Sequence, residues 1–291
     1  MFFKVVYRTL VSIIIITALF FAAAFTGNMF FDRKVGKEIS GLFPETPAPT
    51  KTVHSSSFDS LPLPVRRWLE FSNIEGKEFA DFISLSQTGE MRLSPEGEWL
   101  NARAKQYFRA DTPAFIWNAD VREGLFMSFS ARDKYEEGRG NMWIKLFSIF
   151  TVADAEGPEI DQGVLLRFLA ETIWFPSAAL RDYIKWEAID SLSARAVITH
   201  NGMSAPGVFK FTPEGKVSGF SAIRYYSRKE RSTLEKWEVS VDTESYKSFG
   251  GRLIPTKASV TWKLEEGDFN WFRLLVNGVK YNDGAYHSSR N

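Results

Sequence analysis

The sequence predicts a mainly β protein of the α+β class: a single curved antiparallel sheet or half-barrel with a helical insert, preceded by an N-terminal transmembrane helix. From residue 79 onward, apolar and polar residues alternate in runs that Gly, Pro, Asp and Asn separate, which is typical of antiparallel strands. A helical pattern interrupts this alternation once, near residues 161–185. A long uncharged apolar run also stands close to the N-terminus, as in a membrane helix.

The N-terminal run covers residues 9–31 without a charge, and about 20 apolar residues suffice to span a bilayer. We therefore predict that residues 1–40 form a membrane anchor. A cleaved signal peptide is the alternative, because Ala22–Ala24 offers an A-x-A site. The run continues past that site to Phe31, which favours an uncleaved anchor.

The orientation of this anchor is a further expectation. Lys4, Arg8 and the α-amine lie on one side of the run, and Arg33, Lys34 and Lys37 on the other. The positive charges are equal in number, so the positive-inside rule does not decide. A short basic head followed directly by an apolar run is typical of signal anchors, which favours an N-terminus inside the cell. We expect a single-pass protein of the bacterial cytoplasmic membrane, with the bilayer as a partner and the bulk of the chain extracytoplasmic.

The remaining chain divides by composition. Residues 41–64 hold five prolines and a Ser/Thr cluster, which predicts an extended linker. Residues 65–284 are predicted to form the β-rich domain, with the helical insert at 161–185, and residues 285–291 a tail. Within the domain, Pro-Glu-Gly at 95–97 and at 213–215 predicts two hairpin turns.

Composition excludes several classes of site. The chain has no cysteine and three histidines, so it offers no thiolate chemistry, and we predict neither a metal site nor a cofactor. Without residues 1–40 the chain keeps 31 basic and 33 acidic residues, a net charge of −2. Nucleic acid is not an expected partner, because phosphate binding calls for a basic surface.

Glu171 lies inside an apolar segment, residues 165–180. A helical period places it between aromatic residues, where desolvation would raise the pKa of its carboxyl and suit it to general acid catalysis, with Asp133 or Tyr135 as further candidate groups. Arg167 lies four residues earlier, within reach of a helical ion pair. We predict a structural ion pair and no catalytic residue; an enzyme that uses Glu171 is the alternative.

Aromatic residues make up 15% of the chain, and many alternate with polar ones along the predicted strands. A helix across a curved sheet would close a cavity lined by aromatic side chains, and such a cavity binds apolar molecules. The alternatives are a core that the helix fills completely and a scaffold that contacts another envelope protein. We predict binding of an apolar or lipid-like ligand without chemistry, and the expected contact residues are Phe115, Trp117, Trp143, Phe147, Trp174, Trp262 and Trp271.

Several segments also resemble a known group of proteins. Together they look like an uncharacterised bacterial family with an N-terminal membrane segment, over residues 61–282: LPLPVRRWLEF, QTGEMRLSPEGEW, PAFIWNA, DKYEEGRGNM, LLRFLAETIWFPSAAL and the terminal GGRLIPTKASVTWKLEEGDFNWFRLLVNGVKYN. The C-terminal order of strand, Gly, IP, strand, acidic turn and VNGVKYN is also similar, more distantly, to half-barrel carriers of the outer-membrane lipoprotein-transport type. The second resemblance implies a half-barrel that holds acyl chains under a helical lid.

Overall fold

The computed structural model describes residues 2–43, 51–124 and 127–283. The predicted tail, residues 285–291, lies outside the described residues. The helices are α1 (Phe2–Leu42), α2 (Leu63–Phe71) and α3 (Pro158–Glu171), and single 3-10 turns cover Ser55–Phe58, Thr172–Trp174 and Pro176–Leu180.

Fifteen strands are present in the part of the chain that the structure describes. They are β1 (Phe82–Met91), β2 (Leu100–Arg109), β3 (Ala114–Glu123), β4 (Met127–Glu136), β5 (Arg139–Leu146), β6 (Phe150–Glu156), β7 (Ile184–Asp190), β8 (Ser193–His200), β9 (Met203–Phe211), β10 (Val217–Ser227), β11 (Ser232–Val241), β12 (Tyr246–Phe249), β13 (Arg252–Pro255), β14 (Lys257–Leu264) and β15 (Gly267–Tyr281). Thirteen of them form one sheet, and β12 and β13 form a separate hairpin.

The order of the main sheet explains where the helical insert must lie. The strands run β6-β5-β4-β3-β2-β1-β15-β14-β11-β10-β9-β8-β7, and neighbouring strands are antiparallel. The edge strands β6 and β7 are therefore consecutive along the chain, and the segment that joins them contains α3. This segment crosses from one edge of the curved sheet to the other over its inner face, where α3 packs against strands of both halves, among them β5 and β10. The predicted half-barrel with one helical insert is confirmed.

Local sequence explains why the strands and turns form where they do. Along β2 the side chains alternate between buried and more exposed, with Leu100, Ala102 and Ala104 directed inward. The two predicted Pro-Glu-Gly turns join β1 to β2 and β9 to β10. Helix α3 begins with Pro158 in its first turn, and Glu159 and Asp161 follow in that turn, as favoured at a helix N-terminus.

Helix α3 is the centre of the hydrophobic core. Its own side chains Val164, Leu165, Phe168 and Leu169 are buried, together with inward side chains of the sheet. The helix ends at Glu171, earlier than the predicted insert at 185, and two 3-10 turns carry the chain on to β7. Helix α2 packs on the other half of the sheet, where the Trp68 ring stacks on the Phe209 ring with centroids 5.8 Å apart.

Of the predicted linker, residues 41–64, the structure describes residues 41–43 and 51–64, and residues 44–50 lie outside the described part of the chain. Residues 41 and 42 belong to α1, and Val53 and Phe58 are buried in the core of the domain. Thr52 also forms a β-bridge with Glu78, which adds this segment to the fold. Burial of apolar side chains therefore attaches the described residues 51–58 to the domain, although the composition of the segment predicts an extended linker.

Helix α1 has two halves with different surroundings. Its first part is long and apolar enough to cross a membrane by length and composition, and its side chains are mostly exposed. Its last part packs on the outer face of the sheet, where Phe31, Val35 and Leu42 are buried against β2 and β3. The helix is continuous between the two parts.

Candidate ligand cavity

A cavity lies between the inner face of the sheet and α3, with a volume of about 240 Å³. Side chains from both halves of the sheet line it, because the curvature brings β1, β3 to β5, β10, β11, β14 and β15 around the helix. The wall is mostly apolar and includes Met91, Met142, Ile144 and Val260. Leu93, which is 68% exposed, stands at its mouth beyond the end of β1.

Four of the seven aromatic residues predicted for ligand contact line this cavity. Trp117 lies on β3, Trp262 on β14 and Trp271 on β15, while Trp174 follows α3. The strand alternation places Trp117 and Trp262 on the inner face, whereas Trp271 lies at a register shift in the pairing of β14 with β15 and lines the cavity beside Phe272. Trp237 of β11 lies directly opposite Trp262 in the strand pairing and also lines the cavity.

Phe115 faces inward but does not border the cavity. Its ring packs beside the Phe108 ring at a centroid distance of 6.0 Å, and the Arg167 guanidinium carbon lies 5.2 Å from its centroid. Phe115 is therefore part of the filled core under α3.

The expected inward position of Trp143 and Phe147 is wrong. Trp143 lies on the outer face, where its ring stacks on that of Phe31 in α1 at 4.8 Å, and the Phe147 ring contacts that of Phe20 at 5.2 Å. In β5 the inward side chains are those of Met142 and Ile144, one residue away on either side. The sequence pattern did not separate the two faces because α1 covers the outer one with apolar side chains as well.

A group of charged side chains interrupts the apolar wall. Arg167 Nε donates a hydrogen bond to Glu171 Oε1 at 2.9 Å, and Arg167 Nη1 donates to Asp133 Oδ2 at 2.5 Å. The second Glu171 oxygen accepts from Gln106 Nε2 at 2.6 Å. The predicted ion pair of Arg167 with Glu171 is present, and Asp133 completes a carboxylate–guanidinium–carboxylate group that we call the triad.

Burial raises the pKa of the Glu171 carboxyl, while the Arg167 charge and the hydrogen bonds from Arg167 and Gln106 act in the opposite direction. The Arg167 guanidinium also lies over the Trp117 ring, 4.9 Å from its centroid. With all groups ionised, the triad carries a net charge of −1.

Tyr135 is separate from the triad. It is buried, and its hydroxyl lies 2.9 Å from Nδ1 of His200, away from the residues that line the cavity. Burial raises the pKa of Tyr135, so its hydroxyl stays protonated at neutral pH while it shares a hydrogen bond with the ring nitrogen. Of the three alternative catalytic candidates, the structure brings Asp133 and Glu171 together and leaves Tyr135 apart.

Arg224 lines the cavity and was not among the predicted site residues. It lies on β10 between the ring of Trp237, 5.2 Å from the guanidinium carbon, and the ring of Trp262, at 5.7 Å. The sequence does indicate its position, because Arg224 follows Phe220 and Ala222 at the alternate positions of β10 that face inward. A basic residue at an inward position is a departure from the pattern.

No group of three or more His, Cys, Asp or Glu residues with the geometry of a metal site occurs among residues 2–43, 51–124 and 127–283.

Comparison with known proteins finds a family and solved structures that are similar to this chain. No curated protein matches the chain. A crystal structure from Vibrio parahaemolyticus, described as an outer membrane lipoprotein-sorting protein domain, is similar over 72% of this chain and 90% of its own, with 10% sequence identity and a TM-score of 0.37.

The family match is extensive. Residues 51–274 match DUF6544, a family of unknown function. This range begins with the segment that packs before α2 and ends within β15, so it contains α3 and all residues of the cavity. The chain belongs to the DUF6544 family.

Proposed function

We propose that this protein binds a single-chain apolar or lipid-like molecule in the cavity between α3 and the sheet, without changing it chemically. The observation that carries the proposal is a cavity with five tryptophan side chains in its wall, namely Trp117, Trp174, Trp237, Trp262 and Trp271. Aromatic walls with a few polar groups are typical of small-molecule sites.

The volume limits the size of the ligand. Sites for drug-sized molecules measure about 300 to 1,000 Å³, and this cavity, at about 240 Å³, lies just below that range. It suits one narrow chain or a small ring compound rather than a lipid with two full chains. The charged triad lies in the same wall, so an amphiphilic ligand would meet both apolar and polar surfaces.

The same proposal includes a membrane location. Helix α1 has the length and composition of a spanning helix, and its continuation on the outer face of the sheet would hold the domain next to the bilayer. The expected orientation places the domain outside the cytoplasm. A cavity held at a membrane surface is well placed to receive a molecule that dissolves poorly in water.

An enzyme that uses Glu171 is the second candidate, and the raised pKa of its carboxyl favours it. Against it, both oxygens of Glu171 already accept hydrogen bonds, from Arg167 and from Gln106. A side chain held in this way is typical of a structural ion pair. Binding without chemistry therefore accounts for more of the geometry.

Native mass spectrometry of the detergent-purified full chain tests the proposal. We expect a co-purified apolar molecule on the wild type and its loss from Ala131→Phe, which would fill the cavity from β4. Ala153→Phe, on the edge strand β6 and outside the cavity, is the matched control and should retain the molecule. No adduct on the wild type, after delipidation and re-exposure to a dodecanol probe, would contradict the proposal.

A further inference from the structure

Arg224 differs from the other charged residues of the cavity because no oppositely charged side chain among the described residues binds it. Within the described part of the chain, Arg167 forms ion pairs with both nearby carboxylates, whereas Arg224 forms no ion pair or hydrogen bond. Its contacts are the faces of Trp237 and Trp262. A guanidinium has five N–H donors, and among residues 2–43, 51–124 and 127–283 no protein atom accepts a hydrogen bond from those of Arg224.

Helix α3 holds this guanidinium in place at Gly163. A Cβ atom at Gly163 would lie 2.8 Å from Nε of Arg224 and 3.1 Å from its Nη2. The guanidinium therefore packs directly against the helix where a side chain is missing. Between this helix and the two tryptophan rings, Arg224 has a defined position on the cavity wall.

Electrostatics around Arg224 favour an additional anion. Burial and then the Arg167 charge lower the pKa of Arg224 to about 10, and the carboxylates of Asp133 and Glu171 oppose this only in part. Arg224 thus stays protonated at neutral pH in surroundings that stabilise its charge less well than water does. A ligand anion would supply the stabilisation that is missing, and guanidinium binds carboxylate and phosphate with two parallel hydrogen bonds.

We propose that Arg224 binds the acidic group of an anionic single-chain amphiphile whose apolar chain occupies the tryptophan-lined cavity. This inference rests on the proposed function and adds the chemical class of the ligand. Carboxylate and phosphate share the geometry that a guanidinium recognises, so both head groups belong to the class.

Displacement of Nile red from the full chain, held in amphipol, tests the inference with dodecanoate, dodecyl phosphate and dodecanol. We expect one or both anions to bind at least about tenfold more tightly than dodecanol, as a hydrogen bond to a charged group implies. The relative affinity of dodecanoate and dodecyl phosphate then identifies the preferred head group. Equal affinity for all three probes would overturn the role of Arg224 while leaving the proposed function intact, and no displacement by any probe would overturn the proposed function itself.

Variants make the test specific to this side chain. Arg224→Gln should reduce the preference for the anions to less than about twofold and leave dodecanol affinity unchanged, since a hydrogen bond to a charged group is lost. Arg224→Lys should keep part of the preference, and Gly163→Ala should weaken it by displacing the guanidinium. Arg195→Gln removes an exposed charge on β8 and should change nothing. An unchanged preference in folded Arg224→Gln would contradict the inference.

A second inference rests on the hairpin between β5 and β6. The tip of this hairpin contacts α1 well inside the uncharged run of residues 9–31: the Phe147 ring lies 5.2 Å from the Phe20 ring, and Ser148 Oγ donates to Asn28 Oδ1 at 3.1 Å. A Cβ atom at Gly27 would lie 2.5 Å from the carbonyl oxygen of Ser148, so glycine permits this close approach. Any bilayer that takes up the run therefore also reaches the hairpin tip.

Two exposed apolar side chains lie close to this hairpin tip, as expected of a surface that contacts lipid. Phe150 is 56% exposed and Val152 53%, at the start of β6. The turn after β1 lies at this same end of the neighbouring strands, and it carries Leu93 at the mouth of the cavity. We infer that this end of the strands, from the turn after β1 to the hairpin between β5 and β6, lies in the membrane interface. The cavity then opens toward the bilayer.

Because the chain has no cysteine, single-cysteine variants test this placement directly. The full chain, reconstituted in vesicles of phosphatidylethanolamine and phosphatidylglycerol, would carry the fluorophore NBD at Phe150→Cys, Leu93→Cys or Thr112→Cys. Thr112 is exposed in the turn at the opposite end of β2 and β3 and serves as the matched control.

Spin-labelled lipids should quench NBD at positions 93 and 150 at least about threefold more than at position 112. The reason is distance: α1 runs from Phe20 at the hairpin tip to Leu42 near the opposite end of the strands, and at 1.5 Å per residue this stretch is about 33 Å long. Equal quenching at all three sites in protein that floats with the vesicles would overturn this inference. Failure to float would instead contradict the proposed membrane anchor.

Discussion

Arg167 Nε donates to Glu171 Oε1 at 2.9 Å, one helical turn along α3, and the same guanidinium binds Asp133 on the facing strand β4. One cation thus joins the helix to the sheet through two partly buried carboxylates. Arg167 is therefore the cation that pairs with both carboxylates of the triad, Asp133 and Glu171.

Removing Arg167 should cost more stability than removing the charge of Glu171. Arg167→Met would leave two buried carboxylates without their common partner, and we expect a loss of about 3 to 5 kcal/mol in the free energy of unfolding. Glu171→Gln keeps an acceptor for Arg167, which retains Asp133, so its expected cost is about 1 kcal/mol. Urea unfolding followed by tryptophan fluorescence measures both. Equal losses would show that the triad does not depend on Arg167.

The burial of His200 predicts a pH dependence of stability. Burial lowers the pKa of His200, so the unfolded chain takes up a proton at this residue at higher pH than the folded one. The stabilisation is present above the unfolded pKa of about 6.5 and is lost as the pH falls through the lowered folded value. Subtracting the Tm profile of His200→Gln from that of the wild type between pH 5 and 7.5 removes the titration of other groups. The difference should fall toward acid pH, and a flat difference would contradict this account.

Trp143 should stabilise the docking of α1 rather than ligand binding. Its ring stacks on Phe31, and Nζ of Lys34 lies 4.3 Å from its centroid. Trp143→Ala should therefore lower the opening free energy of residues 31–42 by about 1 kcal/mol, the value of one aromatic pair, in a hydrogen-exchange measurement. Trp262→Ala, on the inner face, is the control that should leave this protection unchanged. Loss of probe binding in Trp143→Ala with full protection of α1 would reverse the assignment.

The orientation of the anchor predicts the activity of a reporter fusion. If residues 41–291 lie outside the cytoplasm, alkaline phosphatase fused to the C-terminus should be active, because that enzyme needs the oxidising exterior for its disulfides. A fluorescent protein at the same position should be dark. The opposite pair of results would place the domain in the cytoplasm.

The alternation of apolar residues predicted the curved sheet and the position of its helical insert, and the spacing of Arg167 and Glu171 predicted their ion pair. The alternation did not predict which face of the sheet each aromatic residue would occupy. Helix α1 covers the outer face of β5, so both faces of this strand are covered, and Trp143 lies on the outer one. The alternation also missed Arg224, whose role depends on Gly163 and on two tryptophans far away in sequence. A periodicity reports the alternation along one strand, whereas these features depend on what each face packs against.

The central claim is that the cavity under α3 holds an apolar molecule, and photo-crosslinking tests it most directly. A dodecanol probe with a terminal diazirine, bound to the full chain in amphipol and irradiated, would be mapped by peptide mass spectrometry. We expect saturable labels at cavity residues such as Met91, Met142 and Trp262, which unlabelled dodecanol removes and Ala131→Phe prevents. Labels confined to the exposed part of α1, with no competition by dodecanol, would contradict the claim.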